Sequence, residues 1–352
     1  TFFKEGLQNV RGLNKKYVIM RFLSALLTLF IALTINFALP RLMGGNPAEY
    51  MASKTAMNSP EYVEALTEQF GLDQGVLVQY VSYLKQLCHF NFGISYANYP
   101  TPVSDIILNA LPWTLLIVLS STIISFAMAW LLGTLAAMKK GSAFDKTTVG
   151  VSFYVQSVPY YFVAMILLMV FAFNLKWFPL SHALSTRATY STWLGQLGDI
   201  LYHAFLPVLS LVLVGLAGRM IMMRSNILQV FSEDYIVLAQ AKGLKRSKIL
   251  SKYALRNALL PSFTGLMVSL GQAVGGALVT ELVFSYPGLG LTIYNAIMNQ
   301  DYPVVQGCFA LIALCVVVLN FIADLLYPII RPAREHVIKG GIGIGNQQKA
   351  GQ

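Results

Sequence analysis

Six apolar runs, each longer than a soluble helix needs to bury, set the organisation of this chain. A membrane-crossing helix takes about 20 mostly apolar residues, and the qualifying stretches are 18–39, 108–138, 148–173, 204–223, 262–283 and 304–330. The second and sixth are long enough to tilt or to run beyond the hydrocarbon. Pro159 falls inside the third. It predicts a kink there, because proline removes a backbone donor and crowds the preceding turn. The alternating pattern of an outer-membrane barrel does not occur. The expectation is an all-α, polytopic membrane protein with six transmembrane helices.

Two of the polar connections carry helical patterns of their own. In 40–107, Ser59-Pro60-Glu61 reads as a capped helix start. Gly71 is placed to stop that helix, and Asp73 to cap a second one with Val76, Leu77, Tyr80, Val81, Leu84 and Leu87 at helical spacing. Two short helices on the outer face fit this pattern, as a platform for an external partner or as a cap on the bundle. The connection 224–261 far exceeds the 2–8 residues that helix–helix links usually take. Within it, 235–241 is a compact helix-compatible stretch, and Gly243 is suited to end it in the left-handed conformation. A second helix fits 244–260, with Lys245, Lys248, Lys252 and Arg256 as a basic stripe beside Ile249, Leu250, Tyr253 and Ala254. Pro261 then marks entry to the fifth span. The basic helix suits anionic headgroups or a partner protein. The short helix–glycine unit suits insertion into a cleft on a soluble partner.

Composition agrees with a lipid-covered exterior. The chain is 56% hydrophobic and 11% charged, with mean hydropathy +0.61, against about 25% charged for a soluble domain. Its net charge of +10 does not indicate nucleic acid, since the basic residues are confined to particular loops. Of the 25 Lys and Arg residues, 18 lie in 1–17, 139–147, 224–261 and 331–352, and 5 in the opposite connections. The positive-inside rule therefore expects both termini in the cytoplasm, with the first span acting as an uncleaved signal anchor. Cys88, Cys308 and Cys315 suggest neither a disulfide nor a metal site, and the four histidines make no ligand cluster. No G-x-x-x-x-G-K-[ST] stretch is present, so ATP, if used, belongs to another polypeptide.

Polar groups inside the spans are candidates for the translocation path: Gln156, Tyr160, Gln272, Glu281, Asn320 and Asp324. The same groups suit interhelical hydrogen bonds, and Arg21 and Arg219 are placed to snorkel. Gly271, Gly275 and Gly276 permit close helix crossing. Pro287, Gly288 and Gly290 form a sharp turn after the fifth span.

The stretch Ala239, Ala241, Lys242, Gly243, Leu244, followed by a basic helix and Leu255 to Pro261, resembles the coupling loop of bacterial ATP-binding-cassette import permeases of the oligopeptide/dipeptide/nickel group. Gly45-Asn46-Pro47-Ala48, Gly71-Leu72-Asp73, Leu111-Pro112-Trp113-Thr114, Trp177-Phe178-Pro179 and Pro287-Gly288-Leu289-Gly290 are similar to that family's motifs, in order, over nearly the whole chain. Val237-Leu238-Ala239 stands where the wider superfamily has Glu-Ala-Ala.

The resemblance implies a type I importer permease fold in a bacterial cell membrane, with N and C termini inside. It implies a cytoplasmic segment 1–17, an extracytoplasmic helical segment 40–107 and a permease core 108–334. Asp234, Tyr235, Leu238, Ala239, Ala241, Lys242 and Gly243 would contact the ATPase, and Pro287, Gly288 and Gly290 would form an outer gate. Its partners would be a homologous second permease, two ATP-binding-cassette ATPases carrying ATP and Mg, a solute-binding protein, peptide and lipid. This chain itself would bind no cofactor and catalyse nothing. The tail 335–352 reads as disordered. Nickel complexes, oligosaccharides or another small solute remain open as cargo. A secondary transporter and a membrane-embedded enzyme are the readings outside the family.

Overall fold

The computed structural model describes residues 15–42, 46–54, 59–186, 189–272 and 277–330. Expectations for residues 1–14, for the tail 335–352 and for Gly45, Gly275 and Gly276 lie outside the described residues. The helices, in order, are α1 (Lys15–Leu42), α2 (Pro47–Lys54), α3 (Pro60–Gln69), α4 (Val76–Cys88), α5 (Val103–Met138), α6 (Ala143–Ser157) and α7 (Tyr160–Leu167), which widens into a π-helical stretch at Leu168–Asn174. After α8 (Trp193–Phe231) come α9 (Asp234–Ala241) and α10 (Arg246–Ile249). A π-helical turn at Leu250–Ala254 then leads into α11 (Leu255–Gln272), followed by α12 (Leu278–Val283), α13 (Leu289–Met298) and α14 (Tyr302–Ile330).

Of the described helices, α1, α5, α8 and α14 are long and apolar enough to cross a membrane unbroken. With 36 residues in α5 and 39 in α8, at about 1.5 Å per residue both exceed the ~30 Å hydrocarbon core. The third expected span is instead a bent pair, α6 and the α7 unit, meeting at 97°. Val158 adopts an extended conformation (φ −87°, ψ 125°), as a residue before proline prefers. The fifth expected span, 262–283, is not one helix either. α11 reaches Gln272, and α12 begins only after Ala277, whose φ of −111° and ψ of 62° are non-helical.

Three smaller expectations change as well. Pro261 does not open a new span, because α11 runs through it; membrane helices tolerate such an interruption. Asp73 lies in a turn, and α4 starts after Gly75. α2 is an additional helix that packs on α3 through Ala48, Ala52 and Leu66. Ser59 does cap α3, its Oγ accepting from the Tyr62 N–H, and Gly71 follows with φ +62°.

α5 and α8 form the centre, flanked by α6, α7 and α11, while α1 packs on α14. One buried cluster, with Val103, Ile107, Leu289 and Val304, lies toward one end. A second gathers Ile117, Leu206 and Tyr286, and a third Met223, Ile227 and Ala258 toward the other end. Around them, Ile19, Phe22, Leu23, Leu27, Phe30 and Ile31 of α1 are exposed. An apolar flank of this extent has lipid as its natural solvent.

The connections meet in two groups. At one end, Tyr50 donates to the Met298 carbonyl, and the Asp301 carboxylate accepts from the Ser95 hydroxyl and from the Tyr96 and Ala97 N–H groups. Burial there pushes the Tyr96 phenol up to about 12. At the other end, the α5–α6 turn joins the end of α8.

Candidate functional site

α9 begins three residues after α8 ends, so its position is set by the longest helix in the fold. Ile236 and Ala239 are buried, packing with Ile249 and Ala254 against Val230, Phe231 and Leu250. Asn257 on α11 donates to the Tyr235 hydroxyl at 2.7 Å. Gly243 closes the unit with φ +72° and open space around its Cα, a conformation that costs other residues about 1–2 kcal/mol. Asp234, Val237, Leu238, Ala241 and Lys242 are exposed along one helical face, with Gln240 exposed beside it. Leu238 is 58% exposed and Val237 55%, a high value for apolar side chains beside a charged rim. Ala239 therefore serves inward packing rather than the outer face. Val237 and Gln240 are exposed residues that the family-like pattern did not single out.

The end of α8 is held to the rest of the bundle by a two-point ion pair. Arg224 Nε donates to Asp145 Oδ1 at 2.5 Å and Nη2 to Oδ2 at 2.8 Å. Asp145 is buried and also accepts the Gly141 N–H at 2.9 Å. A bidentate pair fixes orientation as well as distance. The four-residue stretch between α5 and α6, α8 and α9 are thus linked in series.

At the opposite end, the Pro287–Gly290 turn is built around Glu281. This carboxylate is fully buried, accepting from Thr114 Oγ1 at 2.7 Å and from the Leu291 N–H at 3.0 Å. Thr114 Oγ1 in turn accepts the Leu289 N–H at 2.7 Å. A side chain at Gly288 would overlap the Glu281 carboxylate, and one at Gly290 would sit 2.6 Å from the Leu278 Cα. The turn needs glycine for close approach, and a carboxylate at the start of α13 complements the helix dipole.

Comparison with known proteins bears on what this architecture belongs to. Residues 129–336 match the family described as binding-protein-dependent transport system inner membrane component, and residues 15–118 match the N-terminal model of such membrane components. The oligopeptide transport system permease protein AppB of Bacillus subtilis (strain 168) is 34% identical over 324 residues, covering 91% of this chain and 99% of that protein. The dipeptide transport system permease protein DppB of Escherichia coli (strain K12) is 34% identical over 336 residues, covering 90% and 98%.

The chain belongs to this family of permeases.

A solved structure of the MetNI methionine ABC transporter, in inward-facing conformations, shares the fold with a TM-score of 0.51 at 14% identity, over 64% of this chain and 97% of that one.

In the permease, the six candidate path residues are spread over several elements. Gln156 and Tyr160 flank the bend at Pro159, both exposed, and the Gln156 amide faces Gly218 of α8. Asn320 is exposed on α14. Asp324 pairs with Arg21 of α1 at 3.2 Å, and the Tyr17 hydroxyl donates to the Asp324 carbonyl. Arg21 thus holds α1 to α14 rather than merely reaching for headgroups. Glu281 is occupied by the Pro287–Gly290 turn. Gln272 ends α11. Thr114 and Asp145 are the polar residues that reading by span missed. Asp145 stands five residues after the Lys139-Lys140 pair, where a lone acid among bases was the available signal.

Proposed function

We propose that this permease forms half of the path of an ATP-driven importer for oligopeptides or dipeptides, and that α9 is the element through which ATPase subunits move it. The exposed apolar face of α9, carried rigidly on α8 and braced by the Arg224–Asp145 pair, is the observation that carries the coupling reading. Such a face in water is costly unless covered, and a short helix on a long rigid one transmits displacement without bending. The printed names of the relatives, oligopeptide and dipeptide permeases, support the cargo.

In this reading both termini, the α5–α6 turn and α9 lie in the cytoplasm, following the excess of Lys and Arg on those connections. α2 to α4 and the Pro287–Gly290 turn face outward, toward a solute-binding protein. A homologous permease supplies the other half of the path, and two ATPases lie beneath. ATP-driven closure of the ATPases pulls α9 and the end of α8 together, the bundle rocks, and the outer turn, latched by Glu281 and Thr114, parts from the sister subunit. ATP-dependent uptake of a labelled tripeptide into proteoliposomes holding the full complex and its binding protein tests the reading. Uptake that needs ATP and is lost in L238D is expected; uptake independent of ATP would overturn it.

A further inference from the structure

Arg219 lies in the 204–223 stretch of α8 expected to cross the bilayer, about one turn before the end of that stretch. An arginine so placed is expected to snorkel toward the nearby headgroups. The structure turns it the other way. Its guanidinium lies back over Gly215, one turn toward the outer side, and donates to Ser125 Oγ on α5. A Cβ at Gly215 would sit 2.6 Å from Nη1, so the absent side chain is what admits the group. A second arm reaches Ser269 Oγ on α11 at 3.5 Å. No ion pair among the described residues includes Arg219. Two neutral hydroxyls leave the cation uncompensated among apolar helices, an expensive placement that usually marks a functional site.

Beside it a cavity of about 150 Å³ opens between α5, α8 and α11. Phe126, Trp130 and Met222 provide apolar wall, and Ser262 and Ser269 add hydroxyls. The space suits a carboxylate with a short side chain rather than a whole peptide. Arginine presents a planar fork of five N–H donors that matches a carboxylate at two points.

We propose that Arg219 binds the C-terminal carboxylate of the transported peptide as it passes the inner half of the permease. Building on the peptide reading above, this gives the path a subsite that recognises a group every unmodified linear peptide carries, without selecting among side chains. Ser125 and Ser269 hold the guanidinium in position.

The test uses the full complex in phosphatidylcholine nanodiscs, with trialanine and its C-terminal amide as probes and calorimetric binding as readout. Wild type is expected to bind the acid about tenfold more tightly than the amide. R219Q should bring the two within about twofold, and R219K should restore part of the preference. A preference that persists in R219Q overturns the site. So does the absence of preference, or of detectable binding, in a wild-type complex that transports trialanine. ATP-driven uptake of trialanine by wild type is the separate arm: if it is missing, the peptide reading fails and takes the site with it. Stabilisation by added phosphatidylglycerol that R219Q abolishes, without any acid–amide preference, assigns the cation to a lipid headgroup and overturns the proposal.

Discussion

Thr114 is where a single hydroxyl holds two elements together. It donates to Glu281 and accepts from the Leu289 N–H, joining α5 to the Pro287–Gly290 turn. T114V should leave a buried N–H unpaired and cost about 1–3 kcal/mol, while T114S should stay near wild type; thermal unfolding of the purified complex reads the difference. G288A should lower thermal stability further, since its methyl group meets the Glu281 carboxylate. The Asp145–Arg224 pair makes a third case. D145N and R224Q should each destabilise, yet the double variant should cost less than their sum, as a double-mutant cycle on unfolding temperature would show. Sequence reading located the charges of Arg21, Glu281 and Asp324 but not their partners. Partnership depends on which helices touch, and Arg21 and Asp324 are over 300 positions apart.

The helices themselves were partly legible. Ser59 and Pro60 marked the start of α3, and Gly243 the end of α9, because caps and left-handed turns are local chemistry. Pro159 marked a break, though the 97° bend exceeds a kink. Continuity was less legible: 244–260 and the fifth span looked separate at Pro261, whereas a π-helical turn and α11 carry the chain through to Gln272. Helix α2 escaped notice because eight residues are too few to display a period. α9 supplies a prediction that belongs to this scale, because one of its faces is buried and another exposed. L238D, on the exposed face, should leave expression and membrane insertion intact and abolish coupling. I236D, on the buried face, should fail to accumulate in the membrane. G243D should resemble L238D, combining a strained positive φ with a carboxylate at the proposed docking surface. Membrane yield and peptide-stimulated ATP hydrolysis separate these outcomes.

At the scale of the molecule, composition and the spacing of apolar runs were enough to expect a helical membrane protein, because lipid leaves little choice of secondary structure. The number of unbroken spans was not readable, since hydropathy averages over a proline bend or a non-helical Ala277. Nor was the direction of Arg219, which depends on the space left by a glycine one turn away. The distribution of Lys and Arg predicts that a reporter fused at residue 340 is cytoplasmic; an external signal would reverse the orientation. The account centres on α9 as the point where an external motor drives the bundle. The most direct measurement is ATP hydrolysis and peptide uptake, taken together, in proteoliposomes carrying the full complex with wild-type or L238D permease. The account predicts that L238D loses uptake while the ATPases lose their response to peptide-loaded binding protein. Uptake at the wild-type rate in L238D, or in liposomes that hold the permeases without ATPase subunits, would contradict it.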